Sequence, residues 1–151
     1  MTKKVMAHKK SAKLQNIFFS GIQVGRLQWS VAKAIGRKCA NIYVARSYIR
    51  HIEALHGNQF ANLGMDGLSY VRYIVSCFTE IRQGSEDSLL LVASIKDSEK
   101  AHVAAIDLEY NERGDFWQVK TAQPRSRRAV NKKVRLWEEA KASTAPATVL
   151  I

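Results

Sequence analysis

At 151 residues with 46% hydrophobic content, the chain can bury one sizeable core, and a single domain is expected. Its formal net charge of +11 and pI near 9.9 are high for this size and are matched most simply by a polyanion: nucleic acid, an anionic membrane surface or, failing those, an acidic protein. Cys39 and Cys77 are too few and too far apart for a disulfide framework or a metal site and read as core thiols, while no apolar stretch approaches the length of about 20 residues that a membrane-spanning helix needs.

The charge is unevenly distributed. Eleven of the 24 basic residues fall in residues 1–50, which contain no acid, whereas residues 51–121 carry six basic and eleven acidic groups. From residue 122 onward, seven basic groups face only Glu138 and Glu139. Two cationic ends therefore flank a mildly acidic centre, which suggests a cleft or a wrapped patch, against the plainer reading of charged faces kept for solubility. The basic start followed by IFFSGIQV imitates a signal peptide. However, its apolar run is short, is broken by Ser20, Gly21 and Gln23, and lacks a small-residue cleavage site; the lysine-dominated start also differs from a transit peptide.

In chain order, Leu14, Ile17, Phe18 and Ile22 fall at helical spacing, as do Val31, Ala34 and Ile35 between a Ser30 cap and a Gly36 stop. The segment Ser47 to Leu55 predicts a helix that buries Tyr48, Ile49, Ile52 and Leu55 and ends at Gly57. Leu68, Val71, Ile74, Val75, Phe78 and Ile81 make the clearest helical stripe, between Asp66 and Gly84. The period then changes to two. SLLLVASI (88–95), AHVAAIDLEY (101–110) and DFWQVKT (115–121) are separated by the turns KDSEK and NERG, which predicts an antiparallel meander. Its second strand places His102, Ala104, Ile106, Leu108 and Tyr110 on one face and Val103, Ala105, Asp107 and Glu109 on the other; its third aligns Trp117, Val119 and Thr121. A last helix carries Val130, Val134 and Trp137 inward and displays Arg127, Arg128, Lys132, Lys133 and Arg135. The tail STAPATVLI reads as frayed. The layout is α+β, with N-terminal helices packed on a small antiparallel meander and a closing C-terminal helix.

The string S-Y-I-R-H-I-E-A-L-H-G (residues 47–57), followed by a long amphipathic helix, a three-strand meander and a strand ending in V-K-T before a basic segment, resembles the phage and polymorphic-toxin branch of the barnase, EndoU, colicin E5/D and RelE group of ribonucleases. The resemblance covers residues 42–141 as a nuclease domain, leaving 1–41 as a basic helical extension and 142–151 as tail. It implies metal-independent cleavage of RNA, with tRNA or other structured RNA as substrate. His51 and His56 match the helix histidines, Thr121 the strand-end hydroxyl, and Tyr110 a further, weaker position. Arg125, Arg127 and Arg128 match phosphate-holding cations, and Lys132, Lys120 and Arg50 join them as candidates. No cofactor or metal is implied. An acidic immunity or antitoxin protein is an implied partner, and the implied site of action is cytoplasmic, after delivery into a target cell. The sheet glutamate of barnase-like enzymes has no equivalent on this reading, because Asp107 and Glu109 alternate away from Tyr110.

These residue types fit the chemistry by themselves. Cleavage of RNA by its own 2′-hydroxyl, leaving a 2′,3′-cyclic phosphate, requires a proton acceptor, a donor to the departing 5′-oxygen, and fixed donors for the charge growing on phosphorus. Imidazole, with an ordinary pKa near 6.5, serves either proton role, and Arg, Lys and Thr serve the third. A spacing of five puts His51 and His56 about 140° apart on a regular helix, so both address one phosphate only if the helix ends before His56. The plainer reading is that His56 sits at a helix C-terminus and that His51 packs. His102, on an apolar strand face, reads as structural; Trp117 reads as core more readily than as a base-stacking platform. Gly-rich phosphate loops, metal-ligand clusters and a serine-nucleophile motif are absent. The alternatives to a ribonuclease are a non-catalytic nucleic-acid-binding module and an inactive phage structural or inhibitory protein on the same fold. The ribonuclease and the binding module separate on whether His51 and Thr121 converge on one basic cleft; divergence favours binding.

Overall fold

The structure, a computed structural model, describes residues 21–140. In chain order these form β1 (Ile22–Leu27), α1 (Trp29–Ile35), β2 (Ala40–Val44), α2 (Arg46–Ala61), α3 (Gly67–Cys77), β3 (Glu80–Gln83), β4 (Leu89–Ala93), β5 (Ala101–Glu109), β6 (Phe116–Arg125), α4 (Arg127–Asn131) and β7 (Arg135–Glu138). The strands make one sheet in the order β1-β2-β6-β5-β4-β3-β7. All neighbours are antiparallel except β2 and β6. The α+β class holds, but the expected meander is only the middle of a seven-stranded sheet, and the helices follow β1 instead of preceding all strands.

Each departure from the expected elements has a local cause. Leu14, Ile17 and Phe18 lie outside the described residues, whereas Ile22 opens β1 and pairs with Val44. β2 is a short buried run, ANIYV, of the kind that periodicity alone does not distinguish from a helix segment. The expected division at 41/42 falls within β2, and Val24, Leu27 and Ala32 before it share the main core. In α1, Gly36 closes the helix at φ +67°, a conformation that glycine adopts without a Cβ penalty, but Gln28 rather than Ser30 is the N-cap residue.

α2 does not stop at Gly57. It continues to Ala61 because Phe60, one turn beyond, is fully buried and stacks on Tyr70 with ring centroids 4.6 Å apart. Burying such a ring is worth roughly 1.5–3 kcal/mol, more than the roughly 1 kcal/mol that a mid-helix glycine costs. α3 begins where expected, with the Asp66 carboxylate accepting from the Ser69 amide at 2.8 Å, but it ends at Cys77, and Ile81 belongs to β3. The expected closing helix is the five-residue α4 followed by β7; Val130 is buried, Val134 is exposed, and Trp137 packs on Phe78 from a strand. Cys77 is exposed at the end of α3 and is not the core thiol expected, whereas Cys39 is half-buried and packs against the main core.

α2 and α3 cover one face of the sheet, where Ile52, Tyr70, Val71 and Ile74 meet Ile42, Leu91, Ala104, Ile106 and Val119. On the far face a smaller cluster, Leu90, Val92, Ala101 and Val103, receives Val130 of α4. The two edges of the sheet approach each other: Arg37, after α1, donates to Gln83 of β3 at 3.0 Å, and Arg26 of β1 and Trp137 of β7 line one cleft beside α3. No helix among the described residues is long and apolar enough to cross a membrane.

Candidate nucleic-acid interface

The far face is shaped by a bulge in β6. Ala105 pairs with Thr121 but Ile106 pairs with Val119, so Lys120 is the extra residue. A bulge resets the alternation of the strand that carries it. Trp117 and Val119 face the helices as expected, but Ala122 takes the next core position opposite Ala104, and Thr121 turns to the far face with Gln123 and Arg125. The expected alignment of Thr121 with Trp117 and Val119 is thereby corrected.

One cleft lies on this face, and a second adjoins it at the end of the sheet, where Leu108 and Trp117 of the helix-covered side also line it. The smaller, about 210 Å³, is lined by Thr121, Gln123, Arg125 and Lys133 around the apolar floor of Leu90, Val103 and Ala105. The larger, about 650 Å³, gathers Arg37 and Lys38 from the α1–β2 loop, Ser85 to Ser88 from the β3–β4 turn, and Asp107 to Tyr110 from the end of β5. Ser85 and Ser88 line both. Along β5 the file Val103, Ala105, Asp107, Glu109 runs from one cleft into the other, since alternate residues of a strand share a face. Tyr110 follows the last residue of β5, is 69% exposed, and lines the same cleft as Asp107 and Glu109. The alternation expected to separate it from those carboxylates stops with the strand.

The polar groups here are unequally engaged. Lys120 makes an ion pair with Glu109 at 2.9 Å and reaches the Tyr48 hydroxyl of α2 at 3.4 Å, so its charge is largely committed within the fold. Burial opposes the charge on Lys120, but the bond to Glu109, its charge and Tyr48 together outweigh burial and hold the pKa above the usual lysine value. Burial raises the Asp107 carboxyl above the usual carboxylate range; Lys120 opposes this, and the charges of Glu109 and Glu86 add to it.

Arg127 is not a free phosphate ligand. It binds Glu80, which also accepts from Arg82 at 2.8 and 3.0 Å. Burial by itself would raise the Glu80 carboxyl, yet the bonds from Arg127 and Arg82 prevail and hold it low. Arg127 thus fastens α4 to β3. Arg128 and Lys132 of the same segment are exposed, Arg125 is half-buried in the smaller cleft, and Arg50 is exposed on α2.

The helix histidines lie elsewhere. His51 is exposed on α2, and His56, one and a half turns on in the same continuous helix, bonds Gln59 through Nδ1 at 2.9 Å. Neither lines either of the two clefts described above. The contact from α2 to the far face is made by Tyr48, one turn before His51, through Lys120. His102 is buried on the helix-covered side, with Nδ1 2.8 Å from the Tyr70 hydroxyl and Nε2 2.8 Å from Ser98 Oγ. Among the described residues no group of three or more His, Cys, Asp or Glu side chains is placed to hold a metal ion.

Of the sequence candidates, the fold therefore brings Thr121, Tyr110, Arg125 and Lys120 to one face and leaves His51, His56 and Arg50 on α2. Sequence reasoning missed Asp107, Glu109, Arg37, Lys38, Lys133 and the two serines. One signal was available, namely two carboxylates continuing the apolar file of Val103 and Ala105. The chain matches no protein-family model, no curated protein and no solved structure.

Proposed function

We propose that the protein binds RNA along the far face of its sheet. The observation that carries this reading is the joining of the two clefts through Ser85 and Ser88, with Arg125 and Lys133 in one and Arg37 and Lys38 in the other. Arg128 of α4 and Lys132 just after it extend the cations of the smaller cleft on the same face. Contacts of this kind fix a phosphate backbone and release counterions. Fluorescence anisotropy with single-stranded RNA should show affinity falling steeply between about 50 and 200 mM salt, and Arg125→Ala with Lys133→Ala should lower the slope by about two. A flat salt response would remove the reading.

A second reading, metal-independent endoribonuclease, is favoured by one observation: the Asp107 carboxyl, with its pKa raised, shares the groove with Thr121 and Tyr110. In that chemistry the 2′-oxygen bonds to phosphorus as its proton passes to a carboxylate. The 5′-oxygen then leaves with a proton from a second group, for which the groove offers the Tyr110 hydroxyl, His51 lying outside it. Total RNA incubated in EDTA should yield fragments ending in 2′,3′-cyclic phosphate, and Tyr110→Phe, which keeps the ring and removes the hydroxyl, should lower the rate by about 10² to 10⁴ without weakening RNA binding. Intact RNA at high protein concentration, with binding retained, leaves the non-catalytic module. An acidic immunity protein should compete with RNA for this face.

A further inference from the structure

We propose that the larger cleft is a nucleobase pocket selective for bases that carry an exocyclic amino group: adenine, cytosine or guanine, against uracil. This deepens the RNA reading and rests on it. The volume, about 650 Å³, falls within the size range of small-ligand pockets, roughly 300–1,000 Å³. Its chemistry is divided by element. The β5 end and the β3–β4 turn supply carboxylates, Asp107, Glu109, Glu86 and Asp87; the α1–β2 loop supplies cations, Arg37 and Lys38. Arg37 is already bonded to Gln83, and the Lys38 carbonyl accepts from the Trp117 indole at 2.8 Å, so the loop is fixed and the exposed Lys38 ammonium is the cation left for a phosphate.

An ionised carboxylate only accepts hydrogen bonds, whereas the amino groups of adenine N6, cytosine N4 and guanine N2 donate. Uracil has carbonyl oxygens on either side of its single ring N–H and no amino group, so it meets the same wall largely with acceptor against acceptor. Glu109 is engaged by Lys120, and Glu86 and Asp87 are exposed on the turn, so Asp107, half-buried on the strand, is the acceptor best placed within the cleft. Tyr110, 69% exposed beside this wall, offers a ring face on which any base stacks, so stacking supplies affinity and Asp107 supplies the choice.

The test titrates the full chain with AMP, CMP, GMP and UMP, read by the fluorescence of its tryptophans, one of which, Trp117, lines the cleft. UMP should bind about tenfold or more weakly than the other three, the scale on which one well-placed base contact discriminates. Asp107→Asn places an amide donor where the carboxylate stood and should raise UMP affinity relative to CMP, with a melting curve to establish that the variant is folded. Equal binding of all four nucleotides, or an order unchanged in the folded Asp107→Asn protein, overturns the pocket. Homopolymer RNA is measured in parallel: salt-dependent binding without base preference removes the pocket and keeps the RNA reading. Nucleotide selectivity without RNA binding keeps the pocket and removes that reading.

Discussion

The two ends of β5 treat polar side chains in opposite ways. At its start His102 is buried and both ring nitrogens are satisfied, by Tyr70 of α3 and by Ser98 of the preceding turn. At its end Asp107 is half-buried, faces a cleft, and lies near Glu109 and Glu86, whose charges oppose its ionisation. The cost of a buried polar group is removed only by a partner. The first end meets that condition within the fold and is structural, whereas the second leaves a carboxyl facing an open cavity, as binding surfaces do.

The largest effect should come from breaking the closed end. Phe60→Ala removes the ring stacked on Tyr70 and should cost about 3–5 kcal/mol in denaturant unfolding, since the site is fully enclosed. A loss below about 1 kcal/mol would mean that α2 effectively ends near Gly57.

Next comes the fastening of α4, the only helix on the far face among the described residues. Glu80→Gln leaves the buried Arg82 without its charge partner and should cost about 3 kcal/mol. Because the Glu80 carboxyl is held below its ordinary value, its stabilisation is present above the usual glutamate range and lost as pH falls through it. The stability difference between wild type and variant should therefore be smaller at pH 3.5 than at pH 7.

A smaller effect belongs to His102. Burial lowers its pKa, so below its ordinary value of 6.5 the unfolded chain binds the proton more readily than the folded one. Stability from this group is constant above pH 6.5 and declines below it, by at most about 1.4 kcal/mol per pH unit. His102→Gln should remove that segment of the pH profile. An unchanged profile would mean that the ring is not enclosed.

The smallest effect sharpens the open end. The Asp107 pKa is raised, so ionisation opposes folding as pH rises through the usual aspartate range, and Asp107→Asn should be neutral or stabilising at pH 7 by less than about 1 kcal/mol, the exposed part of the carboxyl being screened. Clear destabilisation by this change would make Asp107 structural, like His102.

Short-range signals were legible. The Asp66 cap, the apolar stripe of α3, the Gly36 stop and the three meander strands each depend on residues within a few positions of one another, and the sequence by itself determined them. The same holds for the cationic balance, and hence for the kind of partner sought. Tertiary structure decided the rest, because partners distant in the chain set it. Burial of Phe60 against Tyr70 carried α2 past Gly57 and kept His51 and His56 on one continuous helix. The pairing of β5 with β6 placed a bulge at Lys120, and that single extra residue sent Thr121 to the face opposite the one its spacing implied. The approach of the α1–β2 loop to the β3–β4 turn brought Arg37 and Lys38 to Asp107 and Glu109. A strand's own alternation fixes which residues share a face only while its register is unbroken, and register is a property of the pair of strands.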